Sequence, residues 1–326
     1  MDIYFLDLEE IKSDFSLINT PQYDDFRKSL IRYGCFYLKN NSIDSEFLSK
    51  LTSVTKEFFN NDFNYKKEFI PPLKEIFRGY TSISQESLSQ TIGEKNSFDL
   101  NESFQIGPYN IPKNSNSTKN FFQYHNNIWP KNMNHFKLVW EEYYKGMELI
   151  SSELLNLFSE LFHVDHHFLQ SQNDFHISRL RARFYPKIKS PLAKNQYRVS
   201  AHTDYGTFSI LHNQYNSRGL QIYDRIKKQW LDVDFHSDYF FINLGDLFEI
   251  MSAGIYKAPI HRVIPPNDQI SANNLDRLTF IYFHALRYDC VIRPLPKFSI
   301  IKEKLDYPET TVADYLRRKL LMANYK

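Results

Sequence analysis

The sequence predicts an α+β fold with a sandwich or jelly-roll core flanked by helices. Three observations carry this reading. After about residue 175, short β-prone segments alternate with turns. A long amphipathic stretch precedes them, with apolar residues at helical spacing, and forms a scaffold helix. The front of the chain mixes short strands, helices and polar irregular stretches, too little to make a core of its own. With 326 residues, the chain can fill one large domain or two small ones. The expected organisation is a mixed α/β region over 1–130 packed on a core over 131–326. That core comprises the long helix, the β-rich part and a C-terminal helix, as one compact unit.

The elements follow in order. Ile3 to Leu8 is a short apolar run interrupted by Asp7 and reads as a strand. Thr20-Pro21 opens a helix, with Thr as N-cap and Pro at the first helical position. Phe26, Leu30 and Tyr33 give it an apolar face, and Gly34 ends it. Cys35-Phe36-Tyr37-Leu38 reads as a buried strand. Asp44 or Ser45 opens a second helix carrying Phe47, Leu48, Leu51, Val54 and Phe58. Residues 60–130 read as mostly irregular, with polar loops at 82–90 and 114–120. The scaffold helix runs from about Met133 to His163. Strands are then expected over 176–185, 197–204, 208–214, 220–223, 230–233, 239–244, 259–264, 278–283 and 290–295, with one helix over 245–252 among them. A last helix starts at Thr310 or Thr311, with Asp314 in capping-box position, and its Leu316, Leu320 and Leu321 need an apolar partner.

Composition narrows the function. Apolar residues make up 42% and charged residues 24%, ordinary for a soluble protein. A net charge of +2 argues against nucleic acid or an anionic membrane as the main partner. No apolar run is long enough to span a bilayer. The opening Met1-Asp2-Ile3-Tyr4 does not read as a signal peptide, so Cys35 and Cys290 are expected to be free thiols in the cytoplasm. There is no phosphate-binding glycine loop.

The chemistry centres on Ala201-His202-Thr203-Asp204-Tyr205-Gly206. On a strand, residues two apart point to one face, so the imidazole of His202 and the carboxylate of Asp204 can converge on a metal ion. His261, in a later β segment, can supply a third ligand. Two His and one carboxylate make the facial triad of non-haem Fe(II) oxygenases, which leaves coordination positions open. The pattern has a decoy in His163-Val164-Asp165, followed by His166 and His167. On a helix, residues two apart point about 200° apart. That cluster therefore reads as a helix C-terminus, where His suits the dipole. Downstream of His261, Arg277-Leu278-Thr279 places a guanidinium and a hydroxyl on one strand face, a grip for a carboxylate.

Together these motifs resemble the isopenicillin-N-synthase-like family of Fe(II)/2-oxoglutarate-dependent oxygenases. The resemblance covers nearly the whole chain. It lies in Tyr33-Gly34-Cys35-Phe36-Tyr37-Leu38, Arg78-Gly79-Tyr80, Asp99 through Phe104, Trp129-Pro130, Leu180 through Pro186, Ala201 to Gly206, Gly219-Leu220-Gln221, Asn243-Leu244-Gly245-Asp246, His261-Arg262-Val263 and Arg277-Leu278-Thr279. It implies a double-stranded β-helix (jelly-roll) core. It also implies Fe(II) on His202, Asp204 and His261, with 2-oxoglutarate as co-substrate bound by Arg277, Thr279 and the Tyr185 hydroxyl. The implied reaction is a dioxygenase reaction on a small-molecule substrate with O2, releasing succinate and CO2. A relative that keeps the fold and iron but does not use 2-oxoglutarate in the usual way, or one that only binds a ligand, is the alternative. Thr279 stands where the family usually has serine, which keeps the hydroxyl. The interval from His261 to Arg277 is long, and residues 265–276 are expected to bulge as a loop.

Substrate recognition is expected from Arg181 or Arg183. If Tyr185 faces the barrel interior, so do they, and inside a β core they either are paired with acids or loop out at the sheet edge, or they read an anion such as a substrate carboxylate. Asp204 and Asp246 are the acids expected to pair with them if their role is structural. Phe104, Phe208, Ile210, His212 and Phe283 are candidates for the pocket wall.

Overall fold

Period-two alternation decides how the large sheet faces the site. In the computed structural model, residues 3–39, 42–73, 75–83, 85–93, 98–111, 124–188, 196–213, 218–234, 236, 238–265, 276–298 and 308–323 are described. The strands are β1 (Phe5–Asp7), β2 (Cys35–Lys39), β3 (Gly79–Thr81), β4 (Glu102–Ile106), β5 (Arg179–Tyr185), β6 (Val199–His202), β7 (Phe208–Asn213), β8 (Leu220–Asp224), β9 (Gln229–Asp232), β10 (Phe240–Leu244), β11 (His261–Val263), β12 (Arg277–His284), β13 (Val291–Ile292) and β14 (Thr310–Thr311). The α-helices are α1 (Leu8–Ile11), α2 (Asp24–Tyr33), α3 (Ser45–Asn60), α4 (Phe63–Lys66), α5 (Asn134–Phe162), α6 (His166–Asn173), α7 (Asp246–Met251) and α8 (Val312–Ala323).

An eight-stranded sheet runs β1-β2-β10-β7-β12-β5-β4-β3, and a four-stranded sheet runs β6-β11-β8-β9. Their strands and the flanking helices form the α+β jelly roll. Cross-strand register aligns Arg183 with Thr279 and Ser103, and Ala182 with Phe280 and Phe104. Partners in register share a face. Arg179, Arg181, Arg183, Tyr185, Arg277, Thr279, Ser209 and Asn213 therefore share one face, and Phe104, Ala182, Phe280, Tyr282, Phe208 and His212 the other.

The second face packs on α5, the scaffold helix. Trp140 of α5 lies edge-on to Phe104 at 5.3 Å and Phe280 at 6.2 Å, and Tyr144 meets Tyr282 at 5.3 Å. Trp140 also donates its indole N–H to Thr55 of α3 at 2.9 Å, tying the N-terminal region to the same layer. Burial of this aromatic layer holds the sheet rigid beneath the opposite, polar face.

Several element boundaries differ from the sequence expectation for local reasons. Residues 21–23 form a 3₁₀ turn before α2, so Thr20 caps no α-helix with its side chain. Gly34 does end α2, at φ 68°, where an added Cβ would stand 2.1 Å from the Lys257 carbonyl oxygen. The stretch 60–130 is not all irregular: β3 and β4 lie within it and extend the large sheet beside β5. The His163–His167 cluster is a junction rather than one helix end. His163 closes α5 in the left-handed conformation, and Asp165 caps α6 by accepting from the His167 N–H. At α8 the capping box is present, with the Asp314 N–H donating to the Thr311 hydroxyl at 3.1 Å. The polar stretch 114–120 and most of 265–276 lie outside the described residues. No described helix is long and apolar enough to cross a membrane.

Candidate metal centre and oxo-acid clamp

His202 ends β6 and His261 begins β11, and the two are directly opposite in the antiparallel ladder. Asp204 follows β6 and makes an isolated bridge with Gly245, and its carbonyl accepts the Asp246 N–H at 2.8 Å. Gly206 allows this turn to press against β12, since a Cβ there would stand 2.0 Å from the His284 carbonyl oxygen. These restraints bring His202 Nε2 to 3.9 Å and His261 Nε2 to 3.7 Å from Asp204 Oδ1. All three side chains are buried, and one potential ligand atom from each lies within 4.8 Å of the others.

The supporting hydrogen bonds prepare these groups for a cation. His202 Nδ1 lies 2.8 Å from the Ser200 carbonyl, and His261 Nδ1 lies 3.1 Å from the Pro259 carbonyl. A carbonyl only accepts, so each Nδ1 carries the proton and each Nε2 presents its lone pair. The Ser209 hydroxyl donates to Asp204 Oδ2, leaving Oδ1 toward the histidines. Burial, then the neighbouring His261 and Arg183, hold His202 well below the usual imidazole range, so it is neutral. Two imidazoles presenting Nε2 and one carboxylate, all buried, fit Fe(II).

The second group lies on β12. Arg277 is buried, and its Cζ sits 5.1 Å from the ring centroid of Tyr185, its register partner on β5. Its Nη2 donates to Asn213 Oδ1 at 3.2 Å and its Nη1 to the Arg218 carbonyl at 3.2 Å. The Thr279 hydroxyl donates to the same Asn213 oxygen. Burial pushes the Arg277 guanidinium down to about 10, so at neutral pH it is still a cation. A buried guanidinium with a hydroxyl on its own strand face fits a carboxylate of a bound oxo-acid.

His202 and Asp204 also line a cleft whose walls come from both sheets and from α8. Arg179, Arg181, Arg183 and Phe283 come from the large sheet, His202 from the small one, and Leu316 and Leu320 from α8. Arg181 Nη2 donates to Glu86 Oε2 at 2.8 Å and to the Ser103 hydroxyl at 2.6 Å. Arg183 Nη2 lies 3.9 Å from the same Glu86 oxygen.

Comparison with known proteins agrees with this geometry. Residues 176–285 match the family model for the 2OG-Fe(II) oxygenase superfamily. Residues 7–132 match the model described as non-haem dioxygenase in morphine synthesis N-terminal. The chain belongs to the 2OG-Fe(II) oxygenase superfamily. Within that superfamily it is isopenicillin-N-synthase-like, and it is an Fe(II)- and 2-oxoglutarate-dependent oxygenase. Clavatol oxidase claD of Penicillium crustosum is 27% identical over 299 residues, covering 88% of this chain and 86% of that protein. Proline hydroxylase buaE of Petromyces alliaceus is 27% identical over 307 residues, covering 91% of each. Among solved structures, a full-length Neurospora crassa protein crystallised in complex with alpha-KG superposes with a TM-score of 0.80 at 22% identity, covering 98% of this chain and 95% of that one. That structure shares the fold.

For this oxygenase, the sequence-derived residues sort by sheet face. His202, Asp204 and His261 come together, as do Arg277, Thr279 and Tyr185. Arg181, Arg183 and Phe283 line the cleft. Phe104 does not. It is fully buried on the opposite face against Phe58, Phe136 and Trp140, because it is the register partner of Ala182, not of Arg181. Phe208, Ile210 and His212 share that face for the same reason. Asp204 and Asp246 are not the salt-bridge partners of Arg181 and Arg183; Glu86 is. Glu86, Asn213 and Ser209 escaped sequence reasoning. Ser209 and Asn213 share one face of β7 with Leu211 between them, and His212 is on the other, so the strand's own sequence marks neither face as polar.

Proposed function

We propose that His202, Asp204 and His261 hold Fe(II), and that Arg277, Thr279 and Tyr185 bind the distal carboxylate of 2-oxoglutarate. The observation that carries this reading is the convergence of three buried donor atoms from two strands and a turn within 4.8 Å, beside a buried arginine on the neighbouring sheet. Residues 1–130 and 131–326 are read as one working unit, since β1 to β4 of the large sheet come from the first. Two buried free thiols, Cys35 and Cys290, suit a reducing cytoplasm.

Each residue has a physical task. The Ser200 and Pro259 carbonyls fix the imidazole tautomers, and Ser209 fixes the carboxylate rotamer. Asn213 braces Arg277 and Thr279 through one shared oxygen, so the guanidinium and hydroxyl keep a fixed spacing. Leu316 and Leu320 of α8 exclude water from the cleft, which strengthens every charge interaction inside it. Iron with 2-oxoglutarate and O2 supplies the oxidising power, and the oxo-acid leaves as succinate and CO2. The organic substrate is a small metabolite that enters the cleft beside His202.

The test is anaerobic. Fe(II) and then 2-oxoglutarate are added to metal-free protein, and the weak visible charge-transfer band of a chelated oxo-acid is recorded for the wild type and Arg277→Leu. The expected result is a band in the wild type that needs a much higher oxo-acid concentration in the variant. A variant that titrates like the wild type refutes the clamp assignment, and iron binding without any band refutes the role of 2-oxoglutarate.

A further inference from the structure

The cleft wall carries more positive charge than its own acids neutralise. Arg179, Arg181 and Arg183 point into it from one face of β5. Glu86 is the only acid that forms an ion pair with this row among the described residues, and it is engaged by Arg181 at 2.8 Å and approached by Arg183 at 3.9 Å. Asp99 lies near Arg183 but spends its oxygens on the Leu88 and Ser200 backbone N–H groups at 3.2 and 2.8 Å.

Arg183 leaves its Nη1 without a partner but lies within ion-pair distance of Glu86, and Arg179 is the member of the row with no carboxylate that near among the described residues. Its guanidinium carbon lies 5.7 Å from the Phe77 ring centroid and 5.9 Å from that of Phe283. Its nitrogens have neither a hydrogen-bond acceptor nor a carboxylate within ion-pair distance among the described residues. Burial, then the neighbouring Arg78 and Arg181, push it down to about 9 against the opposing pull of Glu86. Ring contacts hold the guanidinium in place without consuming its in-plane donors, the arrangement that suits recognition of a planar anion. The same cleft also has apolar lining in Leu88, Phe283, Leu316 and Leu320.

We propose that Arg179 anchors the organic substrate, and that this substrate is a small carboxylic acid. Its carboxylate docks on the guanidinium between Phe77 and Phe283, and its apolar body takes the space beside Leu88, Leu316 and Leu320, which is about 30 Å³ with α8 docked and widens as that helix yields. Arg181 plays a different part: it neutralises Glu86 and so keeps that acid from repelling the incoming anion. A substrate with a cationic head finds no spare carboxylate in this wall. This assignment rests on the oxygenase reading of the same cleft.

The experiment uses the full chain with Fe(II) and saturating 2-oxoglutarate without oxygen, so that the oxo-acid clamp is already filled. The wild-type charge-transfer band is recorded first, and its absence refutes the oxygenase reading before any probe is added. Matched probes follow: 3-phenylpropanoate and hexanoate, each against its primary amide, with binding read by calorimetry. The expected result is that at least one carboxylate binds about tenfold or more tightly than its amide, the worth of a charge-assisted hydrogen-bond pair. Arg179→Gln is expected to abolish that preference and Arg179→Lys to keep part of it, with fold checked by circular dichroism. A panel in which no carboxylate outbinds its amide overturns the assignment with the band intact, and needs no variant. A folded Arg179→Gln protein that keeps the full preference also overturns it.

Discussion

The rings of His202 and His261 face each other across the β6–β11 ladder with centroids 4.2 Å apart. Neither ring could hold that position by packing alone, because each is oriented by a carbonyl two residues earlier in the chain. The pair is thus built by backbone register, and Asp204 is delivered to it by a turn held against Gly245. Disturbing a ligand and disturbing its support are expected to have separable sizes.

Ser209→Ala removes the hydroxyl that orients Asp204 while leaving all three proposed ligand atoms in place. Loss of such a support costs about 10- to 100-fold in metal affinity. His261→Ala removes a proposed ligand and is expected to cost more than Ser209→Ala does. Anaerobic Fe(II) titration against a competing chelator measures both. Equal affinities for His261→Ala and the wild type would rule out the triad.

Asn213 accepts from both Arg277 and Thr279. Asn213→Leu keeps the volume and removes the shared acceptor, loosening a guanidinium that keeps its bond to the Arg218 carbonyl and leaving a buried hydroxyl without Asn213. One lost hydrogen bond to a charged group is worth about 1.5–3 kcal/mol. The concentration of 2-oxoglutarate needed for half-maximal charge-transfer absorbance is therefore expected to rise about 10- to 150-fold. An unchanged midpoint would mean that Arg277 is positioned without Asn213.

Much of this site is legible in the sequence because it is built from local rules. Arg277 and Thr279 are two apart on β12, so alternation alone pairs them, whereas the expected strand through His202 and Asp204 ends at His202, and Asp204 reaches the same place from the turn that follows. The long helix is legible from its period, and α8 from its capping box. What is not legible depends on register between distant segments. Glu86 reaches Arg181 from 95 positions earlier in the chain. The face of Phe104 depends on whether β4 pairs it with Ala182 or with Arg181, a one-residue choice that moves it from the cleft to the core.

That register makes a stability prediction. Phe104 is fully buried, with ring centroids of Phe58, Phe136 and Trp140 at 5.0, 5.0 and 5.3 Å. Phe104→Ala is expected to destabilise the fold by about 3–5 kcal/mol, the usual cost of an aromatic deleted from a core. Chemical denaturation checks it. A loss below about 1 kcal/mol is the level of a replaceable contact and would contradict the packing described.

The last prediction concerns α8, whose Leu316 and Leu320 close the cleft. The helix is latched at one acid. The Tyr315 hydroxyl donates to Asp246 Oδ2 at 2.7 Å and Lys319 Nζ approaches the same oxygen at 3.1 Å. At its far end the Ser87 N–H donates to the Ala323 carbonyl at 3.0 Å. Asp246→Ala removes the acceptor of both latch residues and leaves a mostly buried ammonium unpaired, at a cost of about 1–3 kcal/mol to the docked helix. Because α8 packs on the sheets through few side chains, this cost should fall on local opening rather than on global unfolding. Amide exchange in residues 312–323 is expected to quicken about 5- to 150-fold, while exchange in β5 and β12 holds at the wild-type rate. Uniform acceleration across all three segments would mean that Asp246 supports the core and that α8 opens only when the sheets do.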